Sequence, residues 1–240
     1  MCLIAWSWLR HPGYPLVVLA NRDEFHARPS EPAHWWPGEP PLLAGRDLEA
    51  GGTWLGVDRR GRLGALTNRS GEKPPGAASR GELPVGFLRG DHDTSRALDR
   101  LDNQAGGYAG FNLLLFDGGQ LGFASNREPA KPLESGTHAM ANAALDESIP
   151  KVETLRERLE SWARSAAEPE PEEWLDWLAD PRPLQGTALS ALFVHGREYG
   201  TRASTVVIYD AARGVQVIER GFAAAGRELD TVRFEFERTP

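Results

Sequence analysis

The chain has 240 residues and a net charge of −7, with 40% apolar and 25% charged positions. These proportions are typical of a soluble globular protein with one substantial core. The acidic balance argues against nucleic acid or an anionic membrane surface as the main partner, because both require concentrated Lys and Arg. The single cysteine excludes an internal disulfide and a cysteine-based zinc cluster. No apolar run approaches the roughly 18 residues that a membrane span requires.

The N-terminal part of the chain predicts a buried β-hairpin. Residues 2–9 and 14–20 are short, β-prone apolar runs, and a His-Pro-Gly turn separates them. This segment does not match a secretory signal sequence, because it lacks a basic start and is interrupted by Arg10 and His11. We therefore expect a cytoplasmic protein in a reducing environment.

The next hundred residues predict a loop, a second hairpin and helices. Residues 21–49 are rich in Pro, Trp and charge without a sustained period, which predicts a long folded loop. Residues 54–67 repeat the hairpin pattern around an Asp-Arg-Arg-Gly turn. Between 80 and 104 the apolar residues recur at helical spacing, which predicts one or two helices.

The second half of the chain predicts strand pairs and two further helices. The strands are expected at 108–116, 120–125, 137–142, 204–210, 214–220 and 231–237. The helices are expected at 150–165 and at 170–179, where an acidic first turn suits the helix dipole. Strand pairs separated by grouped helices predict an α+β protein with mainly antiparallel sheets. We interpret residues 166–173 as a surface connection within one domain spanning 1–240.

Cys2 is the first candidate for chemistry. Methionine aminopeptidases remove an initial Met before a small residue, so the processed chain would begin with Cys2. Its thiol would then lie beside a free α-amine with a pKa near 8. This amine can accept the thiol proton, so nucleophile and base belong to one residue. The alternative is a structural cysteine at the start of a buried strand.

A second candidate is the run Asn21-Arg22-Asp23-Glu24, which follows an apolar strand. Because the predicted hairpin returns the chain, we expect this run to lie beside residue 2. A carboxylate there would orient the α-ammonium, and Arg22 would hold the thiolate or a substrate carboxylate. The alternative is an ordinary solvated turn.

Isolated polar residues near strand ends complete the set of candidates. Asn68, Asn112 and Asn142 are potential oxyanion-hole donors, although asparagine also caps helices and closes turns. Arg202 lies just before a predicted strand and is either a pocket residue or a surface residue. The six histidines show no metal-ligand spacing, so no protein-built metal site is expected.

Several long segments together resemble the NRDE family, also called the transport-and-Golgi-organisation family. The resemblance is nearly end to end and leaves out only the variable region 160–190. The matching segments are MCLI at the start, LANRDEFHARPS at 19–30, GGTWLGVDRRGRLGALTNR at 51–69, RGEL at 80–83, GYAGFNLLL at 107–115, NAALDESIPKV at 142–152 and YGTRASTVVI at 199–208. That family is more distantly similar to choloylglycine-type N-terminal-nucleophile (Ntn) hydrolases such as penicillin V acylase.

The resemblance implies an Ntn-hydrolase-like αββα sandwich of two antiparallel sheets flanked by helices. Those hydrolases use an N-terminal Cys, an Arg and an acid after the second strand, two Asn residues and a late Arg. The positions that match here are Cys2, Arg22, Asp23 or Glu24, Asn68, Asn142 and Arg202. The hydrolases space their Arg and acid three apart, whereas Arg22 adjoins Asp23, so both acids remain candidates. Asn21, Asn112 and Trp54 are assigned to substrate binding.

Two functions follow from these residues and the resemblance. The first is an Ntn cysteine hydrolase that acts on a non-peptide amide or acyl bond of a small molecule and requires no cofactor. The second is a non-enzymatic carrier of haem or acyl-CoA and lipid, because the family has been tied to haem trafficking and lipid homeostasis. A third, an interaction protein of the secretory pathway, is disfavoured by the lack of a targeting segment.

Overall fold

The computed structural model describes residues 2–71, 74–165 and 167–239. The chain divides into two compact units, each with its own antiparallel sheet. Unit 1 comprises Met1–Arg28 and Ser135–Glu237, and unit 2 comprises Pro29–Glu134 with Arg238–Pro240.

The strands of the described residues are, in chain order, β1 (Leu3–Trp8), β2 (Leu16–Phe25), β3 (Ser30–Trp36), β4 (Leu42–Asp47), β5 (Leu55–Asp58), β6 (Leu63–Asn68), β7 (Phe111–Phe116), β8 (Leu121–Ser125), β9 (Lys131–Pro132), β10 (Gly136–Met140), β11 (Tyr199–Asp210), β12 (Gly214–Phe222) and β13 (Glu228–Phe236). The helices are α1 (Glu82–Arg89), α2 (Thr94–Gln104), α3 (Pro150–Ser165) and α4 (Pro171–Leu178).

Unit 1 is built on a six-stranded sheet in the order β10-β1-β2-β11-β12-β13. Helices α3 and α4 pack on one side of it, which we call the helix face. Leu155 and Leu159 of α3 and Trp174 of α4 form a core there with Leu3 and Leu19. Alternate residues of β1 and β2 therefore lie on the helix face, and those between them lie on the opposite face.

Unit 2 is built on a seven-stranded sheet in the order β3-β4-β5-β6-β7-β8-β9. Phe87 of α1 and Leu98 of α2 pack against Leu113 of β7. Gly45 cannot carry a larger side chain, because a Cβ there would lie 2.2 Å from the indole ring of Trp54. Trp54 is thus seated directly on the backbone of β4.

The main sequence predictions of architecture are confirmed. The first hairpin is β1 and β2, the second is β5 and β6, and the helical region 80–104 contains α1 and α2. The helix predicted at 150–165 has the same bounds as α3. The α+β class with antiparallel sheets is confirmed by the strand pairing of both units.

The prediction of a long loop over 21–49 is wrong. Strand β2 continues to Phe25, because its polar end pairs with β11 and tertiary hydrogen bonding compensates for the missing apolar pattern. The remainder forms the hairpin of β3 and β4. Pro32 is tolerated in β3 because this strand is at the edge of its sheet, where a missing N–H breaks few ladder bonds.

Several predicted boundaries also shift. Strand β11 begins at Tyr199 rather than at 204, and β10 ends at Met140, so Asn142 follows the strand instead of ending it. The short strand β9 was not predicted. The single domain over 1–240 stays a prediction. Of the helices that the structure describes, none is both long and apolar enough to cross a membrane.

Candidate active site around Cys2

Cys2 lies at the open end of the first hairpin, beside the polar end of β2. The β1–β2 register pairs Leu3 with Asn21, so one further step places Cys2 across from Arg22. Residues directly opposite each other in an antiparallel pair share a face of the sheet. The backbone N–H of Asp23 donates a hydrogen bond to the Cys2 sulfur. The hairpin thus brings the first two sequence candidates into contact, as predicted.

Asn142 follows β10, the other strand that pairs with β1. The β1–β10 pairing ends at Ile4 and Met140, so Cys2 precedes this last pair by two residues and Asn142 follows it by two. The Asn142 Oδ1 is buried and has no hydrogen-bond partner among the described residues. Cys2 therefore has an arginine beside it on β2, and Asn142 lies just past the end of β10.

Asp23 follows Arg22 in the strand and therefore lies on the helix face. Its side chain is 3% exposed, and its Oδ1 accepts a hydrogen bond of 2.7 Å from the Thr201 hydroxyl. The Thr201 oxygen itself accepts from the Val194 N–H at 2.9 Å, which leaves its proton for the carboxylate. Burial raises the pKa of Asp23, while the charge of the N-terminal ammonium, the charge of Lys151 and the hydrogen bond from Thr201 oppose this rise.

Lys151 brings a buried cation to the same place. It lies in the first turn of α3 and is 1% exposed, and its ammonium has no hydrogen-bond partner among the described residues. Burial lowers the pKa of Lys151, and the charges of Asp23 and Cys2 oppose this change. The Cys2 thiol is also buried; its pKa is raised by desolvation and by the charge of Asp23, while the charge of Arg22 lowers it.

Arg202 is the extra residue of a β-bulge in β11. Thr201 pairs with Asp23 and Ala203 pairs with Arg22, so Arg202 has no partner on β2. Its Nη1 donates hydrogen bonds to the carbonyl oxygens of Phe25, His26 and Arg28, at 3.0, 3.2 and 3.0 Å. Burial and the charge of Arg22 lower its pKa, while the charge of Glu24 raises it. Arg202 therefore fixes the turn that follows β2.

Asn21 is engaged in the scaffold of unit 1. Its Nδ2 donates to the carbonyl oxygens of Leu178 and Leu192, both at 2.8 Å, and its Oδ1 accepts from the Ser204 hydroxyl at 2.6 Å. It shares the helix face with Leu3, whereas Cys2 and Arg22 point to the opposite face. Both amide hydrogens are thus already used, and the substrate-binding role of Asn21 stays a prediction.

Glu24 differs from Asp23 in exposure. Its side chain is only half-buried, and its Oε1 accepts a hydrogen bond of 2.8 Å from the Phe25 N–H. Asp23 is the acid that lies with Thr201 and Lys151 inside the unit. The geometry therefore favours Asp23 over Glu24 as the acid of the site.

Three candidates belong to unit 2. Asn68 is the last residue of β6, and Trp54 rests on Gly45. The Nδ2 of Asn112 donates to the Thr67 hydroxyl at 3.3 Å in the buried middle of the sheet. Their oxyanion and substrate roles stay predictions.

The sequence reasoning missed Lys151 and Thr201. A signal for Lys151 was present, because it lies four residues before Leu155 and so extends the apolar stripe of α3. A lysine on the buried stripe of an amphipathic helix is unusual unless it is paired. Thr201 carried no comparable signal, because its contact depends on the bulge. Within the described ranges, no three or more His, Cys, Asp or Glu side chains group as a metal site.

Comparison with solved structures defines the class of fold. The chain is similar to the structure described as "Caenorhabditis elegans N-acylethanolamine-hydrolyzing acid amidase (NAAA) ortholog", with a TM-score of 0.56 over 87% of this chain and 92% of that chain. At 11% identity the likeness concerns the fold alone. It confirms the Ntn-hydrolase type of α+β fold with two antiparallel sheets.

Comparison of sequences defines the family. The family model "Transport and Golgi organisation 2" matches residues 1–224. The "Transport and Golgi organization 2 homolog" of Mus musculus is 32% identical over 271 residues, covering 98% of this chain and 96% of that protein. The Homo sapiens "Transport and Golgi organization protein 2 homolog" is 34% identical over 255 residues, covering 92% of each. The chain therefore belongs to the transport and Golgi organisation 2 family, the NRDE family of the sequence prediction.

Proposed function

We propose that the protein is an Ntn cysteine hydrolase that cleaves a non-peptide amide or acyl bond of a small molecule, with Cys2 as the nucleophile. The observation that supports this proposal is the β1–β2 hairpin, which brings Cys2 beside Arg22, with the Asp23 N–H on the Cys2 sulfur. The Ntn type of fold supports it, because in that fold the nucleophile is the first residue of the processed chain.

The proposed reaction begins after Met1 has been removed. The α-amine of Cys2 accepts the thiol proton, and the sulfur forms a bond to the substrate carbonyl carbon. The C–N or C–O bond to the leaving group then breaks, and the leaving group takes up the proton. Water attacks the resulting thioester, the S–C bond breaks, and a carboxylic acid and the free thiol are released.

The neighbouring residues have separate tasks in this scheme. Asp23 holds and orients the α-amine, and its hydrogen bond from Thr201 keeps the carboxylate in place. Arg22 stabilises the thiolate or binds a negative group of the substrate. Asn142 donates to the oxyanion that forms on the carbonyl oxygen.

Intact-mass measurement of the full chain tests the proposal. The native mass is expected to lack Met1, and brief treatment with p-nitrophenyl butyrate is expected to add one butyryl group. The Cys2→Ala variant should gain none, and N-acyl p-nitroanilides should be hydrolysed by the wild type alone. The matched control is Ser7→Ala, which removes a buried hydroxyl from β1, the strand that follows Cys2, and should leave acylation unchanged.

Two outcomes would reject the enzyme. The first is a native protein that retains Met1. The second is a processed protein that gains no butyryl group yet binds haem or acyl-CoA with submicromolar affinity, which would support the carrier instead.

A further inference from the structure

Lys151 is a buried charge that the proposed reaction does not use. Helix α3 packs on β1 and β10, and the first turn of the helix carries the Lys151 ammonium to an exposure of 1% with no hydrogen-bond partner among the described residues. A buried ammonium without compensation is costly, and its usual response is to lose the proton. Its position in the first helical turn adds to this cost, because the helix dipole is positive there.

The compensating negative charges come from the Cys2 site. The groups that act on the Lys151 ammonium are the Asp23 carboxyl of β2 and the Cys2 thiol just before β1. Arg22 acts on Cys2 from the same face of the sheet as the thiol, the face away from the helices. Burial disfavours the charged forms of Lys151, Asp23 and Cys2 alike, so each charge depends on its neighbours. The charges that lower the pKa of Asp23 are the N-terminal ammonium and then Lys151, while the charge of Glu24 raises it.

The other cations of α3, which are Arg156, Arg158 and Arg164, are paired elsewhere. On the β10 side, His138 Nδ1 lies 2.6 Å from Asp146, and Arg156 of α3 lies 3.6 Å from the same carboxylate. Arg164 at the far end of the helix pairs with Glu160. Lys151 is therefore the cation of α3 that serves Asp23.

We propose that Lys151 is a positioning residue of the Cys2 site, whose ammonium keeps the neighbouring Asp23 carboxylate charged. The inference rests on the proposed function, in which Asp23 orients the α-amine. A neutral Asp23 would lose its attraction for that amine, and the proton acceptor of Cys2 would no longer be held in place.

The sign of the pH effect follows from the loss of a cation. Without Lys151, the pKa of Asp23 rises further, because burial acts unopposed by this charge. At a pH near the pKa of Asp23, a smaller fraction of Asp23 is then ionised than in the wild type. The acidic limb of the Cys2 acylation rate moves to higher pH.

The first experiment measures the acylation rate with p-nitrophenyl butyrate between pH 4 and 8. We expect Lys151→Met to shift the acidic limb upward by about one unit, so that acylation below the midpoint slows about tenfold. Lys151→Arg, which keeps the charge, should restore the wild-type limb. The matched control is Arg164→Met on the same helix, whose side chain is 70% exposed. An unshifted limb in folded Lys151→Met would overturn the proposal.

The second experiment measures the electrostatic coupling between Lys151 and Asp23 directly. It does not depend on turnover or on the folding of Lys151→Met. The sequence contains three lysines, so selective ¹³Cε labelling gives three signals whose pH titrations can be followed by NMR. Asp23→Asn is expected to lower the Lys151 midpoint by about one unit while the Lys131 midpoint stays fixed. An unchanged Lys151 midpoint would refute the coupling. If the wild type forms no acyl adduct but the coupling is present, the proposed function fails and the charge pair stands.

Discussion

Asn21 and Asp23 lie two residues apart on the same face of β2, yet their surroundings differ. The amide of Asn21 has three neutral partners at 2.6–2.8 Å, and both of its donor hydrogens are used. Asp23 shares its buried environment with an ammonium and a thiol, and burial opposes the charge of each. A saturated neutral network makes a scaffold, whereas a buried charge cluster retained at a cost in stability indicates a functional site.

The largest expected effect is a loss of stability when the hydrogen-bond network of Asn21 is removed. Asn21→Leu leaves two buried carbonyl groups and the Ser204 hydroxyl without their partner, so we expect the free energy of unfolding to fall by about 4 kcal/mol. Urea denaturation measures this change. Asn103→Leu is the control, since it removes one exposed bond to the Asp99 carbonyl and should cost under about 0.5 kcal/mol. A loss below about 1 kcal/mol for Asn21→Leu would mean that the network is not a scaffold.

For the buried pair of Lys151 and Asp23, we expect the free energy of unfolding to change in the opposite direction. The double variant Lys151→Met/Asp23→Asn removes both members of the buried pair and keeps their approximate volumes. We expect it to unfold with equal or higher free energy, by up to about 3 kcal/mol, because the desolvation cost of both charges disappears. Acylation of Cys2 should be lost at the same time. Urea denaturation at pH 7 decides the point, and a clear destabilisation would show that the pair serves the fold.

The smallest effect is expected at Glu24, which lies next to Asp23 in the strand. Glu24→Gln keeps an acceptor for the Phe25 N–H, so stability should change by less than about 0.5 kcal/mol. The acidic limb of the acylation rate should also remain in place with Glu24→Gln. Asp23→Asn, in contrast, should abolish acylation. The pH–rate profiles of the two variants decide which acid serves the site, and a shift with Glu24→Gln alone would reverse the assignment.

The sequence predicts the part of the site that depends on local geometry. A hairpin that starts at residue 2 must return its second strand beside the first, so the proximity of Cys2, Arg22 and Asp23 follows from the turn alone. The helix of residues 150–165 follows from its apolar period, with the same bounds as in the structure.

The rest depends on pairings between distant segments. Residues 21–25 form a strand because β11, some 180 residues later, supplies their hydrogen bonds. Lys151 reaches Asp23 only because α3 packs on the sheet with one particular face. No local pattern specifies such contacts, because the same residues in another packing would form a loop and a surface lysine.

Because Arg202 is the extra residue of a β-bulge, the number of residues in β11 decides which side chain faces Asp23. If the register that pairs Ala203 with Arg22 continued without the extra residue, position 202 would face Asp23. A guanidinium would then meet the carboxylate, in place of the neutral hydroxyl of Thr201. One inserted residue therefore leaves the carboxylate to Lys151 and frees an arginine to lock the turn after β2. Among relatives, a one-residue deletion in this strand would alter the site more than most substitutions, while every residue of the NRDE run stayed the same.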